Sequence, residues 1–250
     1  MIARPVRALS SLVAVLLAAA CTNSFEIPIE TPIRPKLDVA AFQRVLVAGF
    51  IAGGTEDVDG NLETTRLLRS QLRTKSQLRV IDSDVLPLVD VAAEGRDSGG
   101  AATPPPPIKE EKDLEAYEHV FANVEYWKKI GEEYQQPLIV TGTVMFTPLQ
   151  RNSIVQREQE VYDSFCRRRV VPVRTYMERK GFSLDGRFIF IDGRSGATLH
   201  SESFGEQILY NANQTTPALS SYFELMDRLI PTFLSTLSSQ KIKGTRILLQ

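Results

Sequence analysis

The 250-residue chain has 29 lysine and arginine residues against 30 aspartate and glutamate residues, a formal net charge of −1. This balance excludes the basic excess by which nucleic-acid-binding proteins contact phosphates, so no nucleic-acid partner is expected. Hydrophobic residues make up 43% of the chain, which is enough for a core, and the length suits a single domain.

The N-terminus is an apolar segment that ends in Cys21. Arg4 and Arg7 precede an apolar run at 8–20, as in a secretory signal, whose core of about 7–15 residues is too short to span a membrane. Small residues that lead directly into a cysteine resemble the lipobox of bacterial lipoproteins. The resemblance implies that Cys21 becomes the lipidated N-terminus and anchors the protein to a membrane. The alternative is ordinary cleavage after Ala20, which would release a soluble protein.

The predicted domain organisation has three parts: a lipoprotein signal peptide at 1–20, an extended tether at 21–40 and an α/β domain at 41–250. Three prolines in the tether disfavour a helix there. Within the domain, a glycine-rich and then proline-rich segment at 95–108 has the composition of a surface loop.

The first elements of the domain are typical of a βαβ unit. A β-branched run at 44–50 predicts a buried strand, Asn61 is placed to cap a helix, and a second short strand is predicted at 78–81. Strand, helix and strand within about forty residues predict that the two strands are parallel.

After the proline-rich segment, apolar residues recur every three or four positions from Leu114 to Tyr134. This spacing predicts an amphipathic helix or a pair of helices, and Trp127 falls on the apolar stripe, which indicates a place in the core. The apolar run at 138–146 predicts a strong strand.

The remaining segments predict a hairpin, two further strands and a final helix. The polar region 150–181 indicates a hairpin whose register the sequence does not define, and 182–190 and 197–209 alternate as antiparallel partners around a turn. Thr216 and Pro217 begin an amphipathic helix, and a short edge strand is expected at 246–249.

No motif in the chain nominates a catalytic, cofactor or metal site. The glycines at 49–54 follow a strand but lack phosphate-loop spacing, and neither His119 nor His200 has a neighbour that completes a zinc pattern. Cys166 has no histidine near it in sequence, so it is expected to pack as a small hydrophobe or to stay reduced. We therefore expect no cofactor, no metal and no enzymatic activity.

The densest positive segment nominates a docking patch. Arg167, Arg168, Arg169 and Arg174 lie together in a chain that is otherwise slightly acidic. One interpretation is a docking face for an acidic partner or for lipid headgroups. The other is a solvated hairpin whose charges prevent aggregation at a strand edge.

The order of elements resembles a known superfamily. The strand "RVLVAGF", the helix "NLETTRLLRSQL", the strands "PLIVTGTV" and "FIFIDGRSGATLHSESF" and a last amphipathic helix are similar to the envelope lipoprotein superfamily of the curli secretion lipoprotein and the lipoprotein activators of penicillin-binding proteins. The resemblance implies an α/β sandwich with helices packed on a mixed sheet. It also implies no enzymatic activity and a role in binding envelope proteins or forming rings.

The expected function is that of a lipid-anchored scaffold or regulator that binds an unidentified envelope protein. The alternative is a ring-forming, homo-oligomeric component of a curli-type secretion apparatus in the outer membrane, and a cell-wall hydrolase is a third class. Thr22 follows the lipidated cysteine in place of the aspartate that retains lipoproteins at the inner membrane. We therefore expect the periplasmic face of the outer membrane.

Overall fold

The computed structural model describes residues 24–94, 108–162, 164–211, 214 and 216–249. The predicted signal peptide, its lipidation site Cys21 and residues 95–107 of the predicted surface loop lie outside the described residues. The strands are β1 (Ser24–Ile33), β2 (Arg44–Gly54), β3 (Arg79–Val80), β4 (Leu138–Tyr162), β5 (Arg168–Asp192), β6 (Thr198–Asn211) and β7 (Gln240–Leu249). The helices are α1 (Gly60–Lys75), α2 (Leu88–Glu94), α3 (Glu111–Glu115), α4 (Glu118–Ala122), α5 (Val124–Glu133) and α6 (Ala218–Leu237).

The first and last strands form a two-stranded antiparallel ribbon of their own. Within it, the Lys241 ammonium lies 3.1 Å from a Glu30 carboxylate oxygen. The strand expected at 246–249 therefore exists, but it pairs with β1 and not with the edge of the domain's sheet. Alternating residues predict a strand without specifying which strand it pairs with.

The second compact unit, Lys36–Ser238, contains a five-stranded sheet in the order β3-β2-β4-β5-β6. β2 is parallel to both β3 and β4, whereas β5 is antiparallel to β4 and β6. The parallel β2–α1–β3 unit predicted from the sequence is confirmed. The run Val45–Ile51 is buried throughout because this strand is covered on both faces.

One face of the sheet packs against α1 and α6. Phe188 lies near the centre of this layer, where its ring contacts those of Phe50, Phe204 and Phe233 at centroid distances of 6.2, 4.4 and 5.0 Å. The helices contribute apolar side chains at helical spacing, including Leu68, Leu72, Tyr222, Met226, Leu229 and Phe233. Each ring pair adds to the stability that apolar burial alone would give.

The opposite face packs against the short helices α2 to α5. Trp127 is fully buried in this layer, and its indole N–H donates a hydrogen bond to the Val120 carbonyl at 2.9 Å. The predicted core position of Trp127 is confirmed. The apolar stripe predicted as one or two helices instead forms α3, α4 and α5, and the Asn123 side chain caps α5 by accepting from the Tyr126 N–H at 3.1 Å.

The start of α1 differs from the prediction in its capping residue. The Asp59 side chain accepts a hydrogen bond from the Leu62 N–H at 3.0 Å and caps the helix. Asn61 lies one residue inside the helix, and its side-chain oxygen accepts from the Phe50 N–H in β2 at 2.7 Å. The predicted cap was wrong because Asp59 and Asn61 are both good capping residues, and tertiary contacts assign them different roles.

The predicted fold class, an α/β sandwich with helices on a mixed sheet, is confirmed. The helices cover both faces, so the central strands β2, β4 and β5 bury apolar side chains on two sides. This architecture leaves one part of β4 and β5 uncovered.

Candidate functional site

Strands β4 and β5 extend well past their neighbours in the sheet. β2 pairs with β4 only as far as Phe146, and β6 pairs with β5 only as far as Arg179. The β4–β5 ladder continues without a shift to its last pair, Tyr162 and Arg168. The arms 151–162 and 168–179, with the turn between them, are referred to below as the distal hairpin. At about 3.4 Å per residue, each arm extends roughly 40 Å.

The distal hairpin leaves large apolar side chains in solvent. Ile154, Tyr176 and Phe165 are 72%, 63% and 76% exposed. Exposed apolar side chains that cluster on one element are typical of interaction sites, whereas scattered ones need no explanation. Burial in the core therefore does not account for the large apolar side chains of the hairpin.

The turn places an aromatic ring and a cysteine at the tip of the hairpin. The Arg167 guanidinium lies 5.2 Å from the centroid of the Phe165 ring. Cys166 is exposed and has a φ of 57°, in the left-handed region. Of the two expectations for Cys166, packing as a small hydrophobe was wrong because the residue is exposed, and the expectation that it stays reduced is still a prediction.

The register divides the hairpin into two faces. Residues paired across an antiparallel ladder point to the same face, and successive residues point to opposite faces. The arginine face consists of Arg151, Ser153, Val155, Arg157, Gln159 and Val161 of β4 with Arg169, Val171, Val173, Thr175, Met177 and Arg179 of β5. The mixed face consists of Asn152, Ile154, Gln156, Glu158, Glu160 and Tyr162 of β4 with Arg168, Val170, Pro172, Arg174, Tyr176 and Glu178 of β5.

The two faces differ in charge. The arginine face has four arginines and, among its described residues, no carboxylate, whereas the mixed face has two arginines and three glutamates. Arg151 and Arg179 are directly opposite each other, and both are exposed. Like charges directly opposite on a ladder destabilise it. Three valines and the methionine of this face are half-buried, namely Val155, Val171, Val173 and Met177.

On the mixed face, two of the three carboxylates have partners within the hairpin or at its base. Arg168 forms an ion pair with Glu160. Glu178 accepts a hydrogen bond from the Gln150 amide at 2.7 Å and lies 3.2 Å from the Lys180 ammonium. Opposite charges therefore pair on the mixed face, whereas Arg151, Arg157 and Arg179 of the arginine face form no ion pair with a described residue.

The structure does not bring the four predicted patch residues together. Arg167 lies in the turn, Arg168 and Arg174 are on the mixed face, and Arg169 is on the arginine face. Adjacent residues of a strand point in opposite directions, so a run of basic residues cannot form one patch.

Of the arginines that share the arginine face, Arg169 was part of the predicted patch, whereas Arg151 and Arg157 were not. Arg151, Arg157 and Arg179 join Arg169 there. All four occupy odd-numbered positions, while Glu158, Glu160 and Glu178 occupy even-numbered ones. In β4 this alternation was visible in the sequence, whereas β5 has arginines at both odd and even positions, and the relation between the arms depends on the register.

A second surface feature lies on the body near the base of the hairpin. A cleft of about 510 Å³ is bordered by carboxylates and two cations, and Arg187 lies 2.6 Å from Glu118 within it. Over the described part of the chain, no group of three or more potential metal ligands occurs. The residues that line the cleft are therefore charged, but their arrangement does not point to a particular reaction.

The two histidines are placed as structural or solvated residues. His119 is exposed, and its Nδ1 lies 2.9 Å from the Ala116 carbonyl. His200 is half-buried on β6, where its Nε2 lies 3.7 Å from a Glu202 carboxylate oxygen.

In the part of the chain that the structure describes, no helix is long and apolar enough to cross a membrane.

Comparisons with known proteins give structural neighbours only. No family model and no curated protein matches the chain. Lipoprotein GNA1162 from Neisseria meningitidis is 12% identical, with 77% of this chain and 98% of that chain covered and a TM-score of 0.34. A PelC dodecamer from Paraburkholderia phytofirmans is 14% identical, with 85% and 98% covered and a TM-score of 0.37. The LpoB C-terminal domain from Salmonella enterica is 8% identical, with 79% and 94% covered and a TM-score of 0.31. Because each of these TM-scores is below 0.5, inferences about function rest on the residues of this chain.

Proposed function

We propose that this chain is a non-catalytic, lipid-anchored protein of the bacterial envelope that binds other envelope proteins through its distal hairpin. It would act as a scaffold or regulator. The observation that carries the proposal is the continuation of β4 and β5 beyond the sheet with exposed side chains such as Tyr176 and Phe165. A core does not require this extension, so we attribute it to binding.

The composition of the hairpin suits a protein interface. Tyrosine, phenylalanine and arginine are enriched in such interfaces because they combine a large contact area with polar atoms. Tyr162 and Phe165 are 66% and 76% exposed near the tip, close to three consecutive arginines at 167–169. A partner that covers this tip would bury apolar area that now faces water.

Anchoring through Cys21 is the second part of the proposal. It rests on the apolar run and the small residues that precede the cysteine. Metabolic labelling with a palmitate analogue should mark the wild-type protein and leave Cys21→Ala unlabelled. Label retained by the variant would contradict lipidation at this residue.

The absence of catalysis is part of the same proposal. The side chains with displaced pKa values have structural partners: burial raises the pKa of the Tyr222 hydroxyl, which donates to the Gly60 carbonyl at 3.1 Å. Burial acts to raise the pKa of Glu202, but hydrogen bonds from Lys36 and Thr236 hold that pKa below its usual value. Both side chains hold one element of the fold against another through these hydrogen bonds, which supports a structural role for them.

Site-specific photo-crosslinking in cells tests the proposal directly. A photoreactive phenylalanine analogue at Tyr176, on the hairpin, should give discrete adducts with envelope proteins. The matched control is the same analogue at Glu132, which is also exposed and lies on α5 of the body. Adducts from position 132 alone, or equal adducts from both positions, would contradict binding through the hairpin.

The same material separates this proposal from the ring-forming alternative. A scaffold extracted in detergent should have the size of a monomer or of a complex with its partner, whereas a ring should give a large and uniform particle of this chain alone. A uniform homo-oligomer whose adducts at Tyr176 are all self-adducts would favour the ring.

A further inference from the structure

The arginine face of the distal hairpin borders a strand edge that has no neighbour among the described residues. We infer that the edge of β4 between Leu149 and Tyr162 takes up an extended acidic segment of a partner protein as an added strand. The carboxylates of that segment would lie over Arg151 and Arg157. This inference rests on the proposed function, because it states the chemistry of the partner that the hairpin would bind.

The charge of the face carries the first step. Arg151 is directly opposite Arg179, and Arg157 follows on the same face. In the part of the chain that the structure describes, these three guanidinium groups form no ion pair with the protein. An anion beside Arg151 would offset the repulsion between Arg151 and Arg179, so this face favours carboxylates.

The backbone carries the second step, because an edge strand presents unsatisfied N–H and C=O groups to an incoming strand. β4 leaves its neighbour β2 at Phe146 and contains no proline between Leu149 and Tyr162. β5 contains Pro172, and proline in a sheet lies where its missing N–H would face a free edge. The edge of β4 is therefore the better template.

The geometry of a strand carries the third step. An added strand would direct alternate side chains over the arginine face and the others over the mixed face. Arg151 and Arg157 are six residues apart on one strand and so roughly 20 Å apart along it. Aspartate or glutamate at every second position would meet both arginines, and the half-buried Val155 between them would contact the intervening aliphatic stems.

The charges disfavour two other occupants of this edge. A second copy that paired antiparallel through the same edge would bring its own arginines to the same face and increase the repulsion. A membrane with anionic headgroups would attract the arginines but would leave the backbone groups of the edge unused. The acidic strand is the occupant that uses both features.

Peptide binding to the purified full chain tests the inference. The probe is a fluorescent peptide of about ten residues with alternating glutamate and valine, compared with an isomer whose glutamates are all in one half. We expect the alternating peptide to bind more tightly, and binding to weaken as salt rises. R151Q/R157Q should weaken it about tenfold or more, because two charge-assisted contacts are lost.

The matched comparison is R168Q/R174Q, which removes the same charge from the mixed face and should change affinity less than about twofold. Equal thermal melting of both double variants and the wild type establishes that the fold is intact. N-methylation of alternate peptide amides should abolish binding, because it removes the donors to the edge of β4. Equal weakening by the two double variants, or binding that is unchanged by methylation of the first set of alternate amides and also by methylation of the second set, would overturn the inference.

Vesicles with and without phosphatidylglycerol separate a membrane from a protein partner. Vesicle binding that R151Q/R157Q abolishes, with no binding of either peptide, would assign the face to lipid and overturn the inference. The crosslinks at Tyr176 report independently on the proposed function. Envelope adducts without peptide binding would refute the acidic strand alone, and peptide binding without envelope adducts would refute the proposed function alone.

Discussion

The same two strands form the centre of the body and the whole of the distal hairpin, yet they obey different constraints in the two regions. Between Leu138 and Phe146, β4 is buried on both faces, and the same is true of β5 near Phe188. Past the ends of their neighbours, most of the side chains on these strands are exposed. Packing therefore constrains which side chains the body can contain. It does not constrain the exposed side chains of the hairpin, which are available for a binding partner.

The strongest test of this contrast is a truncation in the core. Phe188→Ala removes a ring that contacts three other rings, so the free energy of unfolding should fall by about 3–5 kcal/mol. Urea denaturation followed by circular dichroism measures the change. A loss below about 1 kcal/mol would show that this layer is not the close-packed core described above.

A smaller effect is expected at the start of α1. Asp59→Ala removes the side chain that accepts from the Leu62 N–H, and should cost about 1 kcal/mol of unfolding free energy. Asp59→Asn is the matched control, because asparagine retains the accepting oxygen and should restore most of the stability. If alanine and asparagine were equally destabilising, the cap would not be the cause.

The pH dependence of stability should show that the Glu202 carboxylate stabilises the fold. The pKa of this carboxyl is held below its usual value, so its stabilisation is present above the usual pKa and is lost as pH falls through the lowered one. Glu202→Gln should cost on the order of 1 kcal/mol near neutral pH and less at about pH 3. Denaturation at both pH values measures the difference, and a cost that grows as pH falls would contradict the assignment.

The smallest effect should come from the hairpin, which completes the contrast. Tyr176→Ala truncates a ring that is 63% exposed, so the unfolding free energy should change by less than about 0.5 kcal/mol. The same denaturation experiment that tests Phe188 measures it. A loss comparable with that of Phe188→Ala would mean that the hairpin is held by packing, and would remove the argument that its residues are available for binding.

The sequence predicted correctly those strands and helices whose residue pattern depends on the element alone. The buried run at 44–50, the stripe that includes Trp127 and the antiparallel pair around 192–196 all have local periodicity, and the structure contains each of them. The cap of α1 failed because two capping residues stand two positions apart, and only contact with β2 distinguishes Asp59 from Asn61.

The candidate site shows the same division more sharply. The sequence alone predicted that 150–181 is a polar hairpin, and in its first arm arginines and glutamates occupy alternate positions. The alignment of the two arms depends on the tertiary structure. Position 151 pairs with 179, so odd positions of β4 share a face with odd positions of β5. A shift of one residue between the arms would have moved Arg169 and Arg179 to the face of Glu158 and Glu160, because side chains alternate with a period of two. Register is a property of two segments together, which no single segment can specify. Here it places four arginines on a face without a described carboxylate, while the three glutamates share the other face with two arginines.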